Sequence, residues 1–354
     1  ARIGGDEFVL LLINRNFEDG NMRVMKRIQQ EMSKPVLIRG QALIVTCSMG
    51  LARFPDDGED AETLLANADV AMYRAKSSGR NNFQFYAKEM NAKAGDRLSL
   101  EIDLWQALGN NEFLLNYQPQ IDMHSGQIIG MEALIRWQHP KRGLVSPMEF
   151  IPMAECNGLI IPIGRWVLET ACRHNLQLQE EGFAPMRVAV NLSARQLSEP
   201  DFVDTVRSVI ESTGIDPVYL ELEVTESMVM HNVDEVVKIL KDINDMGIQL
   251  SLDDFGTGFS SLAYLKRFPI DRLKIDQSFI RHCDSDPDDA IISQTIIALA
   301  HGLKIKVIAE GIETAENLEF LKENNCDEGQ GYFISRPLAY DDLRALLIAK
   351  NTPQ

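Results

Sequence analysis

Hydrophobic residues along this chain fall into short runs separated by longer amphipathic stretches. Near the start, the apolar run Phe8–Ile13 predicts a strand, Met22–Met32 a helix, the stretch around Leu43–Leu51 a second strand and Ala61–Lys76 a second helix. Between Phe85 and Leu108 the text turns polar and helical, with apolar residues at Leu98, Leu100, Ile102, Leu104 and Leu108, the pattern of a connecting helix that enters a further domain. Beyond it, short apolar strands ending near Tyr117, Ile135, Leu192, Val224, Asp253, Ile275, Glu310 and Phe333 alternate with helical stretches such as Pro162–Glu180, Asp201–Ser212, Asp234–Met246 and Asp289–His301. Eight strands and their helices over roughly 250 residues predict an α/β fold of the (β/α)8, TIM-barrel type. A doubly wound open sheet is the rival architecture, but no G-x-G-x-x-G follows the first strand.

Charge changes this picture. The 354 residues carry 35 Lys+Arg and 52 Asp+Glu, a net charge of −17, and the imbalance is not uniform: residues 1–94 hold 13 basic and 12 acidic side chains, residues 95–354 hold 22 and 40. Such a surface does not capture a nucleic-acid polymer, and a phosphate ligand in the second region needs cations from outside the chain. Five scattered cysteines without a C-x-x-C motif point to a reducing, cytoplasmic setting. No apolar run reaches the roughly 18 residues of a membrane span, and no export signal opens the chain. Because it begins with Ala1 and enters a strand almost at once, the chain is expected to be a piece of a longer protein, whose upstream segments could anchor it to a membrane.

Polar residues recur where the predicted barrel strands end: Glu132, Asn191, Glu223, Glu226, Asp253, Asp254, Lys274, Glu310, Glu313 and Gln330. In a barrel that end builds the active site. Period-2 reading puts Gln249, Ser251 and Asp253 on the lumen face with Leu250 and Leu252 outside, and groups Lys306, Ile308 and Glu310 against Val307 and Ala309. Any one of these acids reads equally well as a solvated strand end or helix cap. As a set they converge on one spot, where carboxylates raise one another's pKa unless cations intervene. Oxygen donors without paired His or Cys suit Mg²⁺ or Mn²⁺ rather than zinc, and consecutive aspartates can serve two ions, the apparatus of phosphodiester hydrolysis. Lys274 is either a salt-bridge partner or a group that orients water, and the glycine-rich run after Asp254 is either an ordinary turn or a loop that moves on binding. Upstream, Gly4-Gly5-Asp6-Glu7 is a tight turn that can approach a phosphate, although hairpin turns with Gly and Asp are common.

Two resemblances sharpen these readings. The segments RIGGDEFVLLL and SMGLARFPDDGEDAETLLANADVAMYRAKSSGRNNFQFY resemble the C-terminal half of a GGDEF domain, the family that condenses two GTP molecules into cyclic di-GMP. By that resemblance Glu7 is a metal ligand, Gly4 and Gly5 admit substrate, and Lys76 and Arg80 face the triphosphate. The family's remaining metal and guanine contacts lie upstream of the motif, so no cyclase activity is expected of this chain, while the parent protein could bind GTP. The segment YQPQIDMHSGQIIGMEALIRWQHP, continuing through to GQGYFISRPL, resembles an EAL domain, a TIM-like barrel with an altered first strand that hydrolyses cyclic di-GMP to linear pGpG with Mg²⁺ or Mn²⁺ and is inhibited by Ca²⁺. The resemblance implies metal ligation by Glu132, Asn191, Glu223, Asp253 and Asp254, action of Lys274 and Glu310 on the nucleophilic water, a loop anchor in Glu226, substrate contacts in Gln118 and Arg136, and support of the metal or water network by Glu313 and Gln330. It also implies a homodimer. The expected organisation is a partial GGDEF domain over 1–86, a linker helix over 87–100 and an EAL domain over 101–350, with a catalytically silent cyclic di-GMP receptor as the alternative to an enzyme.

Overall fold

A computed structural model describes residues 1–13, 17–38, 41–43, 45–78, 81–230, 232–256 and 265–351. The chain divides into two units, Ala1–Ile102 and Asp103–Gln354. In the first, Arg2–Gly4 and Glu7–Phe8 form an antiparallel hairpin around Gly5, whose φ of +50° suits a residue without a side chain. The predicted strand Phe8–Ile13 is not formed beyond Phe8: Val9 still exchanges hydrogen bonds with Ala1, but residues 10–13 have no ladder partner among the described residues, and Leu10, Leu11 and Ile13 stand exposed. The predicted strand near Leu43–Leu51 is broken in two. Gln41–Leu43 pairs antiparallel with Val36–Ile38, and Met49–Leu51 pairs parallel with Phe83–Phe85. The helix Ala61–Ser77 lies where expected, started by Asp60, whose carboxylate accepts from the Thr63 N–H at 2.8 Å. A further helix, Glu89–Ala107, occupies the polar connecting stretch.

The second unit is built on eight strands that close into a ring: β1 (Phe113–Asp122), β2 (Ile128–His139), β3 (Arg187–Asn191), β4 (Leu220–Thr225), β5 (Gln249–Phe255), β6 (Arg272–Ile275), β7 (Lys306–Ala309) and β8 (Glu328–Gly329). Six neighbouring pairs, from β2–β3 round to β7–β8, are parallel. The ring closes through β1, which is antiparallel to both β2 and β8. This corrects two expectations. No helix fills the first interval, because Asp122 caps a tight turn with its carboxylate on the Ser125 N–H at 2.7 Å and sends β2 straight back along β1. The last strand ends at Gly329 rather than near Phe333, which lies in a turn and is about half exposed.

Alternation along each strand sorts the core. Leu222, Val224, Leu250, Leu252, Leu273, Ile275, Val307 and Ala309 point outward and are fully or almost fully buried beneath helices such as Ile160–Glu180, Val233–Asn244 and Pro287–Gly302. Each large aliphatic side chain placed there stabilises the fold by about 1.5–3 kcal/mol. Helix starts are chemically marked. Thr314 and Asn317 form a capping box before Ala315–Glu323, and Asp286 caps a helix that has Pro287 in its first turn.

Inward-facing residues are largely polar and form two layers. The lower one collects side chains from the N-terminal ends of the strands: Arg187, Glu221, Arg272 and Glu328, all buried. Arg187 pairs with Glu221 at 3.1 Å, and Arg272 reaches Glu221 at 2.9 Å and Glu328 at 3.1 Å. Arg187 also pairs with Glu328, and Lys306 approaches it at 3.7 Å. The upper layer lies at the opposite, C-terminal ends.

Candidate active site

At those ends the strands deliver Glu132 from β2, Asn191 from the last position of β3, Glu223 from β4, Asp253 from β5 and Lys274 from β6, with Glu310 and Gln330 directly after β7 and β8. Register explains the convergence. Asn191 pairs with Glu223 and Glu223 with Ser251, so lumen-facing positions of neighbouring strands lie side by side. Lys274 is the hub. Its Nζ stands 2.6 Å from Glu310 Oε1, 2.7 Å from Glu223 Oε2, 3.3 Å from Asp253 Oδ1 and 4.0 Å from Glu132 Oε1. Amides complete the cluster: Asn191 Nδ2 donates to Glu132 Oε1 at 2.6 Å, and Gln330 Nε2 donates to Glu132 and, at 3.0 Å, to Gln118 Oε1.

Consecutive residues on a regular strand face opposite ways, so Asp253 and Asp254 could not both reach the mouth. The β5–β6 register shifts between Leu252 and Phe255, and Asp254 adopts a φ of +56°. This bulge re-aims the second aspartate, an uncommon conformation for a residue with a side chain. The Asp254 N–H donates to Asp253 Oδ1 at 2.9 Å. Two residues on, the Gly256 N–H is directed at Glu226 Oε2 at 3.4 Å, which ties the start of the following loop to the helix Glu226–Met230. The rest of that glycine-rich segment, residues 257–264, lies outside the described residues.

One ammonium cannot balance this many acids. Burial pushes Glu132 upward, but Lys274 and the amides of Gln330 and Asn191 outweigh it and hold the carboxyl below its usual range. For Glu223 burial wins over Lys274, and Glu132 and Asp253 add to it, so its pKa stands well above normal. Glu310 is raised by burial to about 8 despite its contact with Lys274. Asp254 is raised by burial and by Asp253 and Asp276. Burial disfavours the Lys274 ammonium, yet Asp253, Glu132, Glu223 and Glu310 keep it charged far above the ordinary lysine range.

Among the described residues, no three His, Cys, Asp or Glu side chains are already spaced as a metal cage; the acids are drawn onto Lys274 instead. Their chemistry nonetheless fits a hard divalent cation. The donors are all oxygens, they outnumber the local positive charge, and Glu223 Oε1 is buried without a hydrogen-bond partner. Above them opens a cavity of about 220 Å³ whose lining includes Gln118, Glu132, Asp253, Glu310 and Gln330.

Other predicted site residues fall elsewhere. The half-buried Arg136 turns its guanidinium onto the Ile135 carbonyl at 2.9 Å. Glu313 lines the cavity but pairs with Arg281 at 3.2 Å rather than joining the cluster. In the first unit Gly4, Glu7 and Lys76 are exposed, on the hairpin and the Ala61–Ser77 helix respectively, and Arg80 lies outside the described residues. Sequence reading missed Gln277, Arg281 and Gly311 in the cavity wall. A signal existed, because Gln277 and Arg281 follow Lys274 in the loop region after β6, where a barrel places functional side chains.

A closed barrel with one reversed strand and an oxygen-lined mouth defines the class of the second unit. The EAL domain family matches residues 102–337, and the chain belongs to it. Residues 1–82 match the diguanylate cyclase GGDEF domain. Cyclic di-GMP phosphodiesterase NbdA of Pseudomonas aeruginosa is 43% identical over 349 residues, 99% of this chain and 44% of NbdA. The bifunctional diguanylate cyclase/cyclic di-GMP phosphodiesterase MucR of the same organism is 44% identical over 345 residues, 98% of this chain and 50% of MucR. The chain thus spans about half the length of the curated relatives it matches. The solved PaMucR phosphodiesterase in complex with c-di-GMP superposes with a TM-score of 0.67 at 45% identity, over 69% of this chain and 99% of that one.

Proposed function

We propose that the barrel unit hydrolyses one phosphodiester of cyclic di-GMP to give linear pGpG, using Mg²⁺ or Mn²⁺, two per site. The observation that carries this reading is the gathering of Glu132, Glu223, Asp253 and Glu310 within 4.0 Å of one ammonium beneath an open cavity, an acid surplus that added cations would balance. Family membership and the relatives named above support it. A pair of such ions held by Glu132, Asn191, Glu223, Asp253 and Asp254 would neutralise phosphate charge and lower the pKa of the attacking water.

The chain's own groups do the rest. Asn191 and Gln330 fix the orientation of Glu132 through their amides. Glu310 accepts a proton from the attacking water, and Lys274, 2.6 Å away, offers positive charge to the transition state. As the water oxygen bonds to phosphorus, the P–O3′ bond breaks and the 3′ oxygen leaves with a proton. Gln118 and Arg136 touch the phosphate or its surroundings, and Glu226 holds the loop that begins at Gly256.

Incubating the purified chain with cyclic di-GMP and Mn²⁺ and resolving the products by chromatography tests the proposal. pGpG should appear with Mn²⁺ or Mg²⁺ and not with Ca²⁺, and Glu132→Ala should abolish it. Binding without product would make this a receptor instead. GTP bound at residues 1–86 and a homodimer belong to the same proposal; turnover with and without GTP tests the first, and sedimentation the second.

A further inference from the structure

The reversal of β1 places a second glutamine of that strand beneath the mouth. Gln118 pairs with Glu132 across the β1–β2 ladder and Gln120 with Gly130, and Gly130 pairs in turn with Arg187 on β3. Because β1 runs against the other strands, Gln120 lies one lumen position deeper than Gln118, level with Arg187 of the lower layer. It is fully buried, and its amide has room there because position 130 has no side chain: a Cβ at Gly130 would come within 2.8 Å of Gln120 Oε1.

From that depth Gln120 starts a chain of amides that all point the same way. Its Nε2 donates to Gln330 Oε1 at 3.0 Å. Gln330 Nε2 donates to Glu132 Oε2 and, at 3.0 Å, to Gln118 Oε1, and Gln118 Nε2 donates to the Ser335 carbonyl at 3.1 Å. The Ser335 carbonyl can only accept, so Gln118 turns its oxygen to Gln330. Gln120 supplies the donor at the opposite end, so Gln330 turns its oxygen inward and both N–H groups toward Glu132 and Gln118. A Gln330 amide turned over would set oxygen against the Glu132 carboxylate and nitrogen against nitrogen at Gln120.

The fold gains nothing from the other end of Gln120. Its Oε1 is buried without a hydrogen-bond partner among the described residues, which costs at least as much as the one hydrogen bond returns. Asn191 Nδ2 holds Glu132 Oε1 at 2.6 Å, so the pose of the second carboxylate oxygen depends on Gln330 and, through it, on Gln120. We infer that Gln120 is a positioning residue: it locks the Gln330 amide in the sense that presents Glu132 to a divalent ion. The inference rests on the ion site proposed above and not on hydrolysis of a nucleotide.

Calorimetric titration of the full chain with Mn²⁺, in the absence of nucleotide, tests it. Gln120→Met keeps the reach of the side chain and removes the donor. It should raise the Mn²⁺ dissociation constant about tenfold, the lower end for a group that orients a metal ligand from behind. The urea midpoint should stay at its wild-type value, since one buried oxygen without a donor, that of Gln120, is exchanged for another, that of Gln330. Gln330→Met should weaken Mn²⁺ binding by at least as much, and the double variant should bind no more weakly than Gln330→Met, because Gln120 acts only through Gln330. Unchanged Mn²⁺ affinity in Gln120→Met, additive losses in the double variant, or a loss matched by a fallen urea midpoint overturns the inference. A wild type that binds Mn²⁺ more tightly than Gln120→Met yet forms no pGpG ends the hydrolysis reading and leaves Gln120 in this role. A wild type that forms pGpG beside a Gln120→Met protein of equal Mn²⁺ affinity does the reverse.

Discussion

The two polar layers of the barrel use similar side chains to opposite ends. Below, Glu221 and Glu328 face Arg187 and Arg272, with Lys306 at the edge, and every charge has a countercharge within the barrel interior. Above, Glu132, Glu223, Asp253 and Glu310 share Lys274 among the charged contacts described. The lower layer is electrically closed and has little to gain from a ligand. The upper layer is left with surplus acid, and there burial first, with neighbouring carboxylates adding to it, raises the pKa of Glu223 and Glu310. Charge balance, rather than residue type, separates a structural core from a site that invites cations.

Variants can break this comparison. The largest effect is expected from Glu310→Gln, which should lower kcat on the order of 10²- to 10⁴-fold, as removal of a general base does. Affinity for cyclic di-GMP should change little, so single-turnover rates and calorimetry together read the split; an equal loss of both would move Glu310 out of the proton-transfer role. Next comes Glu328→Gln below. It leaves two buried guanidinium groups on Glu221 and should cost about 3–5 kcal/mol of stability by urea unfolding. Its folded fraction should keep its dependence on Mn²⁺, and a stable but inactive Glu328→Gln would show that the layers are coupled. Third, Mn²⁺ at about 100 times its dissociation constant should stabilise the wild type by about 2.7 kcal/mol, with an expected rise in melting temperature that Asp253→Ala lacks. The same stabilisation in Asp253→Ala would place the ion elsewhere. The smallest effect belongs to the outside of the barrel. Breaking the Arg165–Glu169 pair, 3.0 Å long on an exposed helix face, should change stability by no more than about 1 kcal/mol.

Much of the upper layer was legible in the linear text because strand periodicity and strand ends are local properties. Asp253 alternates with Leu252 whatever the neighbouring strands do, and an acid just past an apolar run sits at a barrel mouth once the run is a barrel strand. The lower layer obeys the same rule and went unread. Stepping back two residues from Lys274 gives Arg272, from Glu223 gives Glu221 and from Gln330 gives Glu328, but a charged residue early in a strand looks like solvated surface until the ring closes over it. In the first unit, Phe8–Ile13 carries strand composition without a ladder among the described residues, since strand pairing depends on partners that local pattern does not supply.

By itself the sequence determined the α/β alternation, the family, the oxygen-rich donor set and the position of nearly every acid at the mouth, because these follow from periodicity and motif order within single strands. Tertiary structure alone decided the reversal of β1, the bulge at Asp254, the gathering of four carboxylates on Lys274 and the withdrawal of Glu313 to Arg281. Each of these depends on which strands become neighbours and in what register, and hydrogen bonding and charge settle that only when the ring is closed.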